Sequence, residues 1–392
     1  MLTREAVDDV LDWARAEDLP TPALLMTPGV LADAVARIRE QLGGRISFAL
    51  KANAHPAMVR VMAGAVDEFN VTNLDHLRLL LDQGVSPSRI AFAHPVTTAE
   101  TVQAAVACGV SRFVLDDPRG LEVLKSAGVP LKVTLRLLPP DIGQSPRSLI
   151  RFGGTHEVLR ELAGKAVVSG MEIEALSFFV GTAGEGMAEA VPFRRAIEHL
   201  ARLSEQLGRD GISVPTMNIG GGFPGAQRRF FQQNPEYFRR IGDAARQHFG
   251  PDQAVLCEPG RYLSESTMAV LTRVVADRRV AGRRLVYVDA SAYAGLFESC
   301  FIDDSDAGPV VQAGRSSAVA TPAALVGPVM DSFDVVTRST SLAPLTTGQL
   351  LLLPNVGAYA WNYFVGCEGL RAPVAVEVPE QLAASFAHAW FD

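Results

Sequence analysis

Four places in this sequence hold residue types that could do chemistry, and each lies in or just after a run of strand-forming residues. Lys51 closes ISFALKA (46–52), and Arg136 lies in LKVTLRL (131–137). Gly220, Gly221 and Gly222 end TMNIGGG (216–222), and Glu258 follows AVLC in AVLCEPG (254–260). A lysine drawn into a low-dielectric pocket gives up its proton more readily and becomes an amine nucleophile, as Schiff-base chemistry requires. Alone, a lysine here reads equally well as a rim residue whose stem covers apolar surface. Consecutive glycines let backbone N–H groups approach a phosphate, although they also make an ordinary tight turn. Glu258 could hold a proton on a ring nitrogen, or be a structural carboxylate paired with Arg261.

The elements that must position these residues repeat one pattern. Eight apolar runs, the four above with EFNVTN (68–73), IAFAH (90–94), RFVLDD (112–117) and IEALSFFVG (173–181), alternate with amphipathic helical segments. Alternating strands and helices demand parallel strands joined by crossover helices. Eight such units over roughly 250 residues predict a closed (β/α)8 TIM-like barrel. The open doubly wound alternative lacks its GxGxxG after the first strand. In such a barrel functional residues sit at the C-terminal ends of strands, and the last two loops commonly bind phosphate. The four places then converge on one face.

Beyond residue 265 the texture changes to β-forming runs separated by turns, including LTRVVADRRV, RRLVYVD, FDVVTRS and QLLLLP. These predict a C-terminal antiparallel β domain, with ALLMT (23–27) as an extra strand. The expected fold is therefore α/β plus all-β. The barrel is expected over 28–264, and 1–27 with 265–392 form the β-rich domain.

Composition excludes several functions. The 392 residues carry 36 Lys and Arg against 43 Asp and Glu, a net charge of −7, so no basic footprint for nucleic acid is present. No stretch approaches the ~20 apolar residues of a membrane span. The acidic, amphipathic N-terminus is unlike a secretory signal. Cys108, Cys257, Cys300 and Cys367 form no CxxC pair, which argues against zinc and disulfides and fits a reducing cytoplasm. No metal is expected.

An amine, a phosphate cradle and a carboxylate on one barrel face describe a pyridoxal 5′-phosphate (PLP) site. The blocks FALKAN, LRLLPP…RFGG, NIGGGFPG, CEPGRYL, VGPVMDSFDV and NVGAY, spanning about residues 20 to 380, resemble those of fold-type III PLP-dependent decarboxylases, the ornithine, diaminopimelate and arginine decarboxylases. The fold this implies is an alanine-racemase-like barrel plus β domain. The resemblance makes Lys51 the Schiff-base lysine, puts Arg136 near the cofactor and faces Glu258 to the pyridine nitrogen. It assigns the phosphate to Gly220, Gly221, Gly222, Gly260, Arg261 and Thr182, with Tyr359 closing on it. It implies a homodimer with shared active sites, in which Asp331 of VGPVMDSFDV meets substrate in the neighbour's site. Asp303 falls where ornithine-type enzymes place an acid for the distal amine, although Asp304 could take that register.

Departures from the family pattern are as informative. Asn70 stands in place of an acid beside the cofactor, and His76 replaces a glutamate facing substrate. Phe179 replaces the histidine that stacks on the ring; it can stack but cannot donate a proton. Met330 replaces the cysteine before Asp331, which the resemblance assigns as proton donor, and a thioether has no proton to give. The expected function is decarboxylation of an amino acid with a distal amine, or of one conjugated for siderophore or antibiotic assembly. Two alternatives stand beside it. One is a racemase, epimerase or decarboxylation coupled to transamination or oxidation; the other is a non-catalytic, decarboxylase-like regulator.

Overall fold

The structure, a computed structural model, describes residues 4–140, 151–181, 189–225, 228–297, 311–312 and 318–383. Its contacts divide the chain into two compact units. One comprises Met1–Leu31, Gly225–Arg228 and Arg261–Asp392, the other Ala32–Pro224 and Arg229–Gly260.

In chain order β1 (Ala23–Met26) comes first and belongs to the former unit. The next strands are β2 (Arg45–Ala49), β3 (Glu68–Val71), β4 (Ile90–Phe92), β5 (Arg112–Leu115), β6 (Lys132–Leu137), β7 (Glu172–Phe178), β8 (Thr216–Asn218) and β9 (Ala254–Cys257). They pair in parallel in that order, and β9 closes on β2 through Arg45↔Leu256 and Ile46↔Cys257. The expected eight-stranded barrel is therefore present. Side chains cap the following helices: Asn73 Oδ1 accepts from His76 N at 2.8 Å, Asp117 Oδ1 from Arg119 N at 2.7 Å and Thr155 Oγ1 from Val158 N at 3.4 Å. Such caps satisfy the free N–H groups of a first turn and fix where each strand hands over to its helix.

The N-terminal end of the barrel is closed by charge. Glu68 lies 2.8 Å from Arg112 and 3.0 Å from Arg45, and Arg112 lies 2.9 Å from Glu174. Arg45 also reaches the Thr216 hydroxyl at 3.3 Å. Five strands are thus tied across the interior. Glu68, Arg112 and Glu174 are largely removed from water, so each needs its partners; removing one side of such a pair costs about 3–5 kcal/mol.

The second unit holds β10 (Met268–Val280), β11 (Arg283–Val288), β12 (Val311–Gln312), β13 (Thr321–Val326), β14 (Val335–Leu342), β15 (Leu350–Leu353) and β16 (Val374–Glu377). They form one sheet in the order β12-β15-β10-β11-β13-β14, with β1 joined to β10 and β16. The sheet is mostly antiparallel, but β11–β13 and β1–β16 run parallel. The expected antiparallel β domain is therefore present, with these two parallel pairings within it. The amphipathic helix Arg4–Ala16 sets Val7, Val10, Leu11 and Ala14, spaced for one helical face, in a core with Leu25, Leu271 and Leu352.

Candidate functional site

Lys51 follows directly from β2, in the 3-10 turn Leu50–Ala52. Leu50 and Ala52 are buried on either side of it. Asn53 Oδ1 accepts from His55 N at 3.0 Å, and His55 Nδ1 caps the next helix by accepting from Ala57 N at 3.2 Å. Lys51 keeps solvent contact, yet protein crowds its amine. Lost hydration is the leading cause that lowers its pKa; Arg136 and Arg151 add to it, and Glu258 opposes them. The two arginines disfavour a charged amine, and Glu258 offsets part of that effect.

Glu258 follows β9 and is held by a residue the sequence reading passed over. Asn218, at the end of β8, donates from Nδ2 to Glu258 Oε1 at 2.7 Å, and its Oδ1 accepts from Gly220 N at 2.9 Å. Gly220 O in turn accepts from Glu258 N at 2.7 Å. One amide therefore locks the carboxylate to the glycine run. The available signal was a polar residue ending an apolar strand immediately before that run.

The three glycines are required by packing. Gly220 and Gly222 have φ of +67° and +91°, which L side chains rarely adopt. A Cβ on Gly221 would lie 2.3 Å from the Glu258 carbonyl oxygen. The N–H groups of Gly221 and Gly222 meet no acceptor among the described residues.

Arg136, on β6, lies between two aromatic faces, with its guanidinium carbon 5.5 Å from the Phe152 centroid and 5.7 Å from that of Phe179. Burial is the main influence lowering its pKa, against the pull of Glu258 and Asp116. Asp116, after β5, accepts from Gly153 N at 2.7 Å, and burial raises its pKa. Asp116 and Phe152 are further residues not singled out from sequence. Asn70 on β3 is buried, and His76 sits in the first turn of the helix Leu74–Asp82 with its Nδ1 sealed and unbonded among the described residues.

The remaining candidates fall elsewhere. Gly260 donates to the Glu258 carbonyl at 2.9 Å. Arg261 stacks on Tyr359 at 5.2 Å and lies 3.7 Å from Glu265, within the β-rich unit. In the β13–β14 connection Met330 is 93% exposed. Asp331 accepts from Tyr293 Oη at 2.7 Å and from Phe333 N at 3.0 Å. Buried Asp334 anchors that loop, accepting from Ser291 Oγ, Ala292 N and Val329 N at 3.0, 2.7 and 3.0 Å. Thr182 and Asp303 lie outside the described residues.

The family profile described as "Pyridoxal-dependent decarboxylase, pyridoxal binding domain" matches residues 29–265. The chain belongs to this decarboxylase family. Among curated relatives, the decarboxylase is 25% identical over 345 residues to the lysine/ornithine decarboxylase of Selenomonas ruminantium, covering 88% of this chain and 86% of that one. It is also 25% identical over 349 residues to antizyme inhibitor 2 of Xenopus laevis, covering 85% and 75%. Among solved structures, a lysine decarboxylase of Selenomonas ruminantium superposes with a TM-score of 0.85 at 23% identity, over 96% of this chain and 97% of that one. The arginine decarboxylase of Paramecium bursaria Chlorella virus gives 0.85 at 21%, over 96% and 100%. At these identities the structures speak to fold.

The family's cofactor, PLP, fits the residues present. The decarboxylase offers it a deprotonation-prone amine at Lys51, unpaired amides at Gly221 and Gly222 for a phosphate, and a carboxylate fixed in place at Glu258. Among the described residues no group of three or more His, Cys, Asp or Glu is arranged to hold a metal. No described helix is long and apolar enough to cross a membrane.

Proposed function

We propose that the protein decarboxylates a small amino acid with a distal amine, of ornithine or lysine type, as a cytoplasmic homodimer with shared sites. The observation that carries this reading is Lys51, crowded toward its neutral form, beside a Glu258 clamped by Asn218. PLP, when bound, supplies a sink for the electron pair left by the departing carboxylate. Lys51 is the nucleophile that holds the cofactor, and its depressed pKa keeps the amine available. Glu258 would hold a proton at the ring nitrogen, with its carboxylate fixed in place by Asn218. Arg136 orients Glu258 by charge and presents Phe179 as an apolar wall. The amides of Gly221 and Gly222 would hold the phosphate.

The distal amine is assigned to Asp331. The Phe333 N–H and the Tyr293 hydroxyl lower its pKa, which favours an anion at neutral pH. Exposure of Met330, Asp331 and Phe333 on a loop anchored by Asp334 supports donation of this loop to a partner subunit's site. The name of the Selenomonas relative, a lysine/ornithine decarboxylase, supports the substrate class. The proposal includes conjugated amino acids of siderophore or antibiotic assembly.

The test is an amino-acid panel, free and conjugated, with mass-spectrometric detection of amine and carbon dioxide. Release of both from a diamino acid, abolished by Lys51→Ala, is the expected result. PLP uptake without carbon dioxide from any member would overturn it in favour of a racemase or a regulator.

A further inference from the structure

One buried donor inside the barrel has nothing to bond. Asn70 is 7% exposed, and its amide nitrogen Nδ2 is sealed from solvent with no acceptor among the described residues. Side-chain alternation fixes its direction. Glu68, two residues earlier on β3, joins Arg112 and Glu174 across the barrel interior, so Asn70 faces the same interior one step nearer the end that carries Lys51.

Its surroundings offer no partner. The register neighbours of Asn70 are Ala49 on β2 and Ala91 on β4. Both side chains are single methyl groups, so neither accepts a hydrogen bond. Ala49 is also the residue that leads into the Lys51 turn. A second unbonded group lies after the same strand: His76 Nδ1, sealed in the first turn of the helix Leu74–Asp82. Burial lowers its pKa against the pull of Asp75, so the ring favours its uncharged form. Buried polar groups in native proteins are nearly always paired. An unpaired donor on the strand face that leads toward Lys51 points to a partner that arrives with the ligand.

We propose that Asn70 donates a hydrogen bond to an anionic oxygen of the ligand held at Lys51, and so selects ligands by that oxygen. This deepens the functional reading above and rests on it. A carboxylate at this position, as the family pattern leads one to expect, would accept from a ligand N–H or O–H and repel an oxyanion. The amide nitrogen does the reverse. Two oxyanions share the required chemistry: the ionised ring hydroxyl of PLP and the α-carboxylate of the amino acid.

The experiment uses the full-length chain with Asn70→Ala and Asn70→Asp. Three quantities are measured: the melting temperature of the PLP-free protein, PLP affinity by absorbance titration, and kcat and KM for a substrate from the amino-acid panel. Because Nδ2 has no partner among the described residues, Asn70→Ala should leave the PLP-free melting temperature unchanged or raise it. If the oxygen is the cofactor's, both variants lose about ten- to hundredfold in PLP affinity, Asn70→Asp more than Asn70→Ala, and the visible absorption shifts before substrate is added. If it is the substrate's, PLP affinity holds and KM rises by a similar factor. A drop in the PLP-free melting temperature of Asn70→Ala assigns the residue to structure and overturns the inference. So does a normal PLP affinity together with a normal KM. Failure of the wild-type chain to take up PLP overturns the functional reading itself, whereas uptake by the wild type with no response at Asn70 overturns this inference alone.

Discussion

The clamp between Asn218 and Glu258 makes a sharp prediction, because one atom changes its character. Asn218→Asp keeps size and shape and retains an acceptor for Gly220 N. It replaces the N–H facing Glu258 Oε1 by a carboxylate oxygen. Two carboxylate oxygens at the present 2.7 Å separation repel by about 6 kcal/mol at an effective dielectric of about 20. The pair escapes that penalty by sharing a proton or by moving apart. Either response removes the fixed, charged carboxylate that the proposed role of Glu258 requires. Loss of a preorganised electrostatic contact of this kind costs about 10²–10³ in turnover. The assay is kcat and KM with PLP at saturation, with the melting temperature followed in parallel. We expect kcat to fall by about that factor with KM little changed, and the fold to persist. Turnover within about threefold of wild type would refute the reasoning, since Glu258 would then need no neutral donor at its side.

Lys51→Met should stabilise the PLP-free protein at neutral pH. A lysine whose folded pKa lies below its unfolded value binds protons more weakly when folded, so its penalty is greatest at low pH and fades as pH rises toward the unfolded pKa. Thermal unfolding at neutral and strongly alkaline pH should show a gain that disappears, and a constant difference would contradict it. Asp334→Ala removes the acceptor of three donors and should cost about 3 kcal/mol or more, read by denaturant unfolding; a loss below about 1 kcal/mol would show that the loop anchors itself by other means. Lys51→Ala and Asp331→Ala subunits, each inactive alone, should recover about a quarter of wild-type activity when mixed and exchanged, since half the dimers are mixed and each of these has one intact site; no recovery would place both residues in sites built from one subunit. Met330→Cys should shift products toward amine and away from any carbonyl compound, with a tenfold change in partition for ~1.4 kcal/mol. Absence of carbonyl product from the wild type, with no response to the cysteine, counts against a role for this position in proton delivery.

What the sequence revealed and what it hid follow from the range of the interactions. The barrel was legible because each strand run is short, apolar and followed by a helical segment, a local pattern. Lys51, the glycine run and Glu258 were legible because each stands at the end of such a run. Asn218 was not, since its role depends on β8 lying beside β9, and nothing within NIGGG marks Asn218 as a partner of Glu258. Charges at Glu68, Arg112 and Glu174 read as surface until register brings them face to face across the interior. The parallel pairings β11–β13 and β1–β16 escaped for the same reason: turn-rich β sequence specifies strands but not which distant strand each will join. The glycines were read as an anion cradle or a tight turn; their close approach to neighbouring carbonyl groups became visible only with the fold.

The ion-paired end of the barrel also decides traffic. Arg45, Glu68, Arg112 and Glu174 fill the interior opposite Lys51, and breaking that network to let a molecule through would strand charges away from water. The barrel is therefore a blind alley. The amino acid enters, and its amine departs, by the same door. On the substrate proposed above, the departing amine keeps the distal cation of its parent and competes with it for that route.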